Sequence, residues 1–353
     1  MKIGFYSELL EGLEFRTGGA ETQIYKTAQH LRKLGCEVRY LNHPAESKEC
    51  DLIHLFRFSD EVISFFNALP ANRPPVVLST VFWYQEIPLR HLAQDLIDFL
   101  SLGFKRAFRR FRGGSTSLKN YQAIRDVLSR VDLLLPNSRA EISNLERFFG
   151  KTAEAVVIPN AVDSDLVETT GDESPPGIDF EDFVLSVGRI DDRKNRLNLV
   201  RAANLLDLPL VIIGSVSGKK RYRKLYAKIM LEKGRNAEIL SAMPQRELCK
   251  FYRRARVHAL PSWFETPGLA SLEAALFGCR LVVTEGGCTR EYFGDQAFYC
   301  DPGNVDSIAE ALRGAWKAQP NSRLKERVSK EFTWEKTARK TLSAYEKVLG
   351  IGS

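Results

Sequence analysis

Two glutamates eight positions apart, Glu265 and Glu273, stand in the stretch ETPGLASLE. Pro267 and Gly268 break the chain behind the first, and an apolar run carries the second. A strand ends near Leu260. The spacing of Leu269, Leu272, Ala275 and Leu276 then predicts a helix from Gly268 to Phe277, stopped by Gly278. Pro267 is suited to the first helical position, where a missing N–H costs nothing. Glu265 therefore lies in the loop before the helix, and Glu273 about 8 Å along its axis. The helix start offers free N–H groups and a positive dipole end, which suit a phosphate. A phosphate there, with a hydroxyl-bearing group on each carboxylate, describes a nucleotide-diphosphate sugar. These residues alone leave a second reading open: Glu273 as a solvated helix residue and Glu265 as a charge complementing the dipole.

Upstream, SVGRIDDRKNRLNLVRAA ends a strand at Val187, and Gly188 allows a tight turn. Arg189 and Lys194 follow before the next helix. Two cations after a strand suit a diphosphate, Arg as a planar fork and Lys as a point charge. The neighbouring Arg193 and Arg196 keep a solvated basic loop equally in view. A further loop, VTEGGCTREYFGD, carries Gly286 and Gly287, which allow close backbone approach to a ligand or form a plain turn. Near the start, Gly18 and Gly19 precede a long helical pattern. Neither the Lys-Ser/Thr end of a P-loop nor a Gly-x-Gly-x-x-Gly fingerprint accompanies them, so neither an NTPase nor a dehydrogenase is indicated.

The elements that must position these loops alternate between strand and helix. Expected strands are 2–6, 37–41, 51–56, 76–80, 133–136 and 156–159, then 183–187, 210–214, 238–240, 257–260, 281–284 and 298–299. Expected helices are 21–34, 89–112, 118–129 and 140–149, then 195–206, 222–233, 245–254, 269–277, 305–316 and 333–349. Such alternation predicts α/β architecture, with parallel sheets covered on both faces. The acidic, Pro-rich run 163–182 reads as an interdomain boundary. The expected organisation is a Rossmann-like domain over 1–165, a linker over 166–182, a second Rossmann-like domain over 183–330, and a C-terminal helix, 331–350, crossing back onto the first. Ligands of doubly wound sheets sit outside the carboxyl ends of strands.

At 353 residues the chain is long enough for two cores. An apolar share of 44% with 27% charged residues is that of a soluble globular protein. No apolar run is long enough to span a bilayer, and the opening MKIGFYSELLEG lacks a signal peptide's layout, so a cytoplasmic protein is expected. Cys36, Cys50, Cys249, Cys279, Cys288 and Cys300 form no Cys-x-x-Cys pair and read as buried apolar residues, not as a disulfide framework or a metal site. A net charge of +7 suits anionic partners without choosing among them.

Taken in order, these pieces resemble the retaining, GT-B-fold glycosyltransferases of family 4. The matching elements are Gly18-Gly19-Ala20-Glu21, Asp51 to His54, Pro136-Asn137-Ser138, Ile158 to Asp163, Gly188-Arg189 with Lys194, Leu260 to Ser262, the Glu-x7-Glu pair, and Gly286-Gly287 with Glu291. FTWEKTA, 332–338, resembles the family's closing helix, and the resemblance covers nearly the whole chain. It implies two Rossmann-like domains facing across a cleft, with the acceptor on the first and the donor on the second. Arg189 and Lys194 would hold the donor diphosphate, Glu265 the transferred sugar's hydroxyls, and Glu273 the ribose hydroxyls. Gly19 and the amides of Gly268, Leu269 and Ala270 would approach phosphate or sugar. It implies no metal and no other cofactor, because Arg, Lys and a helix N-terminus do that work.

Two positions depart from the pattern. LSTVFWYQEIP, 78–88, has no His where relatives often carry a His-Asp pair; Trp83 and Tyr84 there suit either stacking on an acceptor sugar or plugging the core. Ala161 stands where the family usually has Gly. One further segment, LIDFLSLGFKRAFRRFR at 96–112, places Leu96, Ile97, Leu100, Phe104, Phe108 and Phe111 opposite five basic residues. That profile suits either an anionic membrane surface or packing on its own domain with a solvated basic face; nucleic acid is disfavoured, since the Phe residues do not interleave with the charges. The expected function is retaining transfer of a sugar from a nucleotide-diphosphate-sugar donor to a sugar or lipid-linked acceptor, at the inner membrane face. The alternatives are a GT-B epimerase or phosphorylase and a non-catalytic nucleotide-sugar-binding scaffold.

Overall fold

In a computed structural model the chain is described over residues 1–10, 18–83, 121–168, 173–320 and 322–351. The expected basic amphipathic helix at 96–112 and Tyr84 lie outside these residues. The described parts of 1–84, 114–161 and 332–353 form one compact unit, and those of 162–331 form another.

The first unit contains β1 (Lys2–Tyr6), α1 (Gly19–Lys33), β2 (Glu37–Tyr40), β3 (Leu52–Phe56), α2 (Asp60–Asn67), β4 (Val76–Ser79), α3 (Tyr121–Arg130), β5 (Leu133–Leu134) and α4 (Arg139–Phe149). Its strands are parallel in the order β2-β1-β3-β4-β5. Every residue of β3 and β4 is buried, as a parallel sheet covered on both faces requires. Helix α2 was not legible as periodicity, yet its local signals are sound: Ser59 caps it by accepting from the Val62 N–H, and Asp60 and Glu61 occupy the first turn. The expected strand at 156–159 does not form. Pro136, with no N–H to give, follows a two-residue β5; the segment is held by a bridge from Leu134 to Ala155 and by the Ile158 N–H on the Pro136 carbonyl at 2.8 Å.

The second unit runs β6 (Val184–Val187), α5 (Arg196–Leu205), β7 (Leu210–Ile213), α6 (Lys220–Glu232), β8 (Ala237–Leu240), α7 (Gln245–Arg254), β9 (Val257–Leu260), α8 (Leu269–Leu276), β10 (Arg280–Thr284), α9 (Thr289–Phe293), β11 (Phe298–Cys300), α10 (Val305–Lys317) and α11 (Ser322–Glu331). The short α9 and α11 were not expected. The parallel order is β11-β10-β9-β6-β7-β8. From β6 the chain winds one way to β7 and β8, then crosses back to β9 beside β6, with Val184 opposite Val257. The topological switch point therefore falls between β6 and β9. The stretch expected as a linker is tied to this unit: Arg253 donates to the Val167 carbonyl at 2.6 Å, and Lys250 pairs with Glu173 at 2.5 Å.

The last helix, α12 (Trp334–Leu349), belongs to the first unit. Its Thr337 hydroxyl donates to the Pro159 carbonyl, and its Tyr345 hydroxyl meets His54 Nδ1 at 2.6 Å. His54 is fully buried on β3, its other nitrogen on Ser79 at 2.8 Å. Burial lowers its pKa to about 3, so it stays neutral. This histidine of the family-like Asp51–His54 element is thus a tie between sheet and closing helix. All six cysteines are buried, and none is in a disulfide. Among the described residues no helix is long and apolar enough to cross a membrane, and no cluster of three His, Cys, Asp or Glu residues could hold a metal ion.

Candidate functional site

Three loops follow β6, β9 and β10 in the second unit, and all three converge on Glu265. The turn after β6 needs glycines for close approach. Gly188 has φ +129°, and a Cβ on Gly214 would lie 2.0 Å from the Gly188 carbonyl oxygen. Asp191 accepts from the Lys194 N–H at 3.0 Å, and Asn195 turns left-handed at φ 51° just before α5. The Asn195 side chain then donates to the carbonyls of Pro261 at 3.0 Å and Pro302 at 2.7 Å. With the Trp263 N–H on the Arg193 carbonyl at 2.9 Å, the turn is locked to the loop after β9.

That lock brings two cations onto one carboxylate oxygen. Lys194 Nζ lies 2.8 Å and Arg193 Nη1 2.9 Å from Glu265 Oε1, and Arg193 Nη1 also donates to the Phe264 carbonyl at 3.0 Å. Glu265 is only 2% exposed. Burial alone would raise its pKa, but the Arg193 and Lys194 charges and the Lys194 hydrogen bond outweigh it and hold the carboxyl down at about 2. The same burial lowers Lys194 to about 8 against the attraction of Glu265.

Behind the pair lies Arg196, 0% exposed, bonded to the Ser186 hydroxyl and at 3.5 Å to the Gly188 carbonyl. Burial lowers it to about 10. His258 on β9 is also fully buried, and burial with the Arg196 and Lys194 charges lowers it to about 3.

The backbone of Glu265 is held as firmly as its side chain. Its N–H donates to Gly286 and its carbonyl accepts from Cys288, both at 3.0 Å. A Cβ on Gly287, at φ +99°, would lie 1.9 Å from that carbonyl oxygen. The close approach that Gly286 and Gly287 permit is therefore to the Glu265 segment.

Helix α8 begins at Leu269, within one residue of the position expected for its start. Gly268, not Pro267, shapes the entry: it is the N-cap at φ 90°, ψ 91°, a conformation that favours glycine. A Cβ there would also sit 3.1 Å from Glu265 Oε2. The Leu269 and Ala270 N–H groups occupy the first turn, which precedes the first intrahelical acceptor.

Glu273 projects from the second turn of α8 into a different setting. The Tyr252 hydroxyl of α7 donates to its Oε2 at 2.8 Å. Burial raises the carboxyl to about 7; hydrogen bonds from Tyr252 and Gln245 pull it down, and Asp163 adds to the rise. The two glutamates thus differ in charge state near neutral pH: Glu265 is ionised, while Glu273 is close to its midpoint.

Of the expected site residues, Glu265, Lys194, Gly268, Gly286 and Gly287 are brought together, and Leu269, Ala270 and Glu273 continue along α8. Arg189 lies exposed on the same turn, and the ion pairs to Glu265 come from Arg193 and Lys194. Arg193 was legible only as one cation among several. Gly19 opens α1 in the first unit, exposed after the N-cap Gly18. Trp83 is half-buried at the end of the described stretch beyond β4.

Residues 173–331 match the family described as glycosyl transferases group 1. Over 245 residues the chain is 26% identical to O-antigen chain mannosyltransferase B of Escherichia coli, covering 64% of this chain and 63% of that protein. Over 204 residues it is 30% identical to N-acetylgalactosamine-N,N'-diacetylbacillosaminyl-diphospho-undecaprenol 4-alpha-N-acetylgalactosaminyltransferase of Campylobacter jejuni, covering 56% and 54%. The chain thus spans less than two thirds of the length of these curated relatives. Among solved structures, sucrose-phosphate synthase from Thermosynechococcus elongatus superposes with a TM-score of 0.77 at 15% identity, over 100% of both chains. Anabaena HepE in complex with UDP and glucose gives 0.70 at 15% identity, over 98% and 99%. At these identities the likeness is one of fold: two Rossmann-like α/β domains, the GT-B architecture.

Proposed function

We propose that the chain is a glycosyl transferase of the group 1 family that residues 173–331 match, and that it moves a sugar from a nucleotide-diphosphate-sugar donor to an acceptor hydroxyl, with retention. The observation that carries this reading is the buried, ionised Glu265 paired with Arg193 and Lys194, just ahead of the free N–H groups of α8. A helix N-terminus and two cations suit a diphosphate. A carboxylate among them suits sugar hydroxyls, and it offsets one of the two positive charges until a diphosphate arrives. Glu273, further along α8, takes the ribose hydroxyls, and Arg189 from its exposed position adds charge toward the phosphates.

In the reaction the bond from the sugar's C1 to the phosphate oxygen breaks. The acceptor oxygen bonds C1 on the same face, and the acceptor proton passes to the departing phosphate. Arg193, Lys194 and the α8 amides stabilise the charge that develops there. No metal is assigned a role. The relatives' names support the choice of substrates: HepE is seen with UDP and glucose, and the Campylobacter protein is named for a diphospho-undecaprenol acceptor. A sugar or lipid-linked sugar of a surface polysaccharide or glycolipid is the acceptor class we assign, reached from the cytoplasmic face of the membrane.

The test is a thermal-shift screen of UDP, GDP, ADP, CMP and their common sugar conjugates, with EDTA throughout. A ligand that binds the folded state raises the melting temperature. We expect one nucleotide class to do so without metal. No shift with any of them sinks the donor-site reading; a shift without transfer or donor hydrolysis would make the protein a nucleotide-sugar-binding module.

A further inference from the structure

We propose that Tyr252 and Gln245 are positioning residues that hold the Glu273 carboxylate for the vicinal hydroxyls of a nucleotide's ribose. The inference rests on the reading that Glu273 takes the ribose. The two residues are seven positions apart on α7, two helical turns, so they share one face. The Tyr252 hydroxyl reaches the carboxyl at 2.8 Å, and the exposed Gln245 side chain also pulls its titration down. Tyr252 is 0% exposed and cannot swing to solvent. Its ring stacks on Phe277 at 5.9 Å and 23°, and tilts against His258 at 6.1 Å.

The hydrogen bond from the buried Tyr252 hydroxyl fixes the carboxyl's rotamer and leaves lone pairs for a diol, and both residues stabilise the charge. They also favour the ionised form, the form that accepts from two hydroxyls at once. The surroundings otherwise oppose ionisation. The segment before β6 contributes Asp163, a like charge, and α7 brings Cys249 and α8's end Cys279 toward Tyr252. From β9 the neighbouring His258 is neutral, its pKa near 3. The cations Arg193 and Lys194 are spent on Glu265. Tyr252 and Gln245 are thus what pulls the Glu273 titration down from where burial would leave it.

The experiment is calorimetric binding of UDP, GDP, ADP and CDP, each against its 2′,3′-dideoxy counterpart, from pH 5.5 to 9. Wild type is expected to prefer the ribose form at least tenfold, with the preference rising through about pH 7. Tyr252→Phe keeps the packed ring and should move that midpoint up by about one pH unit, the size of a lost charge-assisted hydrogen bond, while leaving dideoxy affinity unchanged. Gln245→Leu should move it the same way. Glu273→Gln should abolish the preference. If Glu273→Gln abolishes it but neither α7 variant moves the midpoint, the positioning role is overturned. If Glu273→Gln keeps the full preference, or no diphosphate binds wild type, the ribose reading itself falls and takes the inference with it.

Discussion

Replacing Glu265 by Gln removes one charge from a buried trio while keeping nearly all its volume. In the folded protein the Glu265 carboxyl titrates at about 2 against an ordinary 4.5, a difference of about 2.5 pKa units and roughly 3 kcal/mol in favour of the folded, ionised state. The folded value is the lower one, so the contribution is complete above about pH 4.5 and is lost as pH falls through about 2. Wild type should exceed Glu265→Gln in stability by about 3 kcal/mol at pH 7, within the range for breaking a buried ion pair, and by about half of that at pH 3. Urea unfolding across that range measures the gap. The same substitution frees Arg193 and Lys194, so inorganic pyrophosphate should bind the variant about tenfold more tightly, while sugar transfer falls. A stability gap that does not change with pH, or pyrophosphate binding that weakens, would refute the view that Glu265 is the counter-charge of a diphosphate site.

Lys194→Ala and Arg193→Ala should each lower kcat/KM about a hundredfold, and Arg189→Ala distinctly less, since only the first two touch Glu265; equal losses in steady-state kinetics would reject the ranking. Gly287→Ala forces a Cβ into the Glu265 carbonyl at a positive φ, so melting of the variant should show a loss of at least about 2 kcal/mol, and an unchanged melting temperature would contradict the described loop pairing. Charge reversal at Arg106, Arg109 and Arg110 should reduce co-sedimentation with anionic liposomes; retained sedimentation would reject the membrane reading of segment 96–112.

Much of the second unit could be read from local pattern. The apolar strand runs, Gly278 after α8, and the order of strand, loop and helix around Glu265 are all properties of neighbouring residues. In the first unit α2 escaped notice because its apolar residues are bunched in eight positions, and only its cap and acidic first turn mark it. The start of α8 was legible to within a residue but its cap was not: Pro267 carries the local start signal, whereas Gly268 adopts a backbone conformation that no side-chain pattern reveals.

The sequence by itself determined that Glu265 lies in a loop before a helix and Glu273 inside that helix, since both follow from spacing within a dozen residues. It also supplied a run of cations after β6. Tertiary structure alone decided which of them matter. Arg189, Arg193, Lys194 and Arg196 are alike in type, and Glu265 is 71 residues beyond Lys194. The choice depends on β9 crossing back to pair with β6, on Asn195 turning left-handed, and on Gly287 meeting Glu265 without a side chain between them. Burial then divides the two glutamates, because one meets two cations in a low-dielectric setting and the other meets only a phenol, an amide and a like charge. Charge state is set by what surrounds a carboxyl in space, and that is information a one-dimensional pattern does not contain.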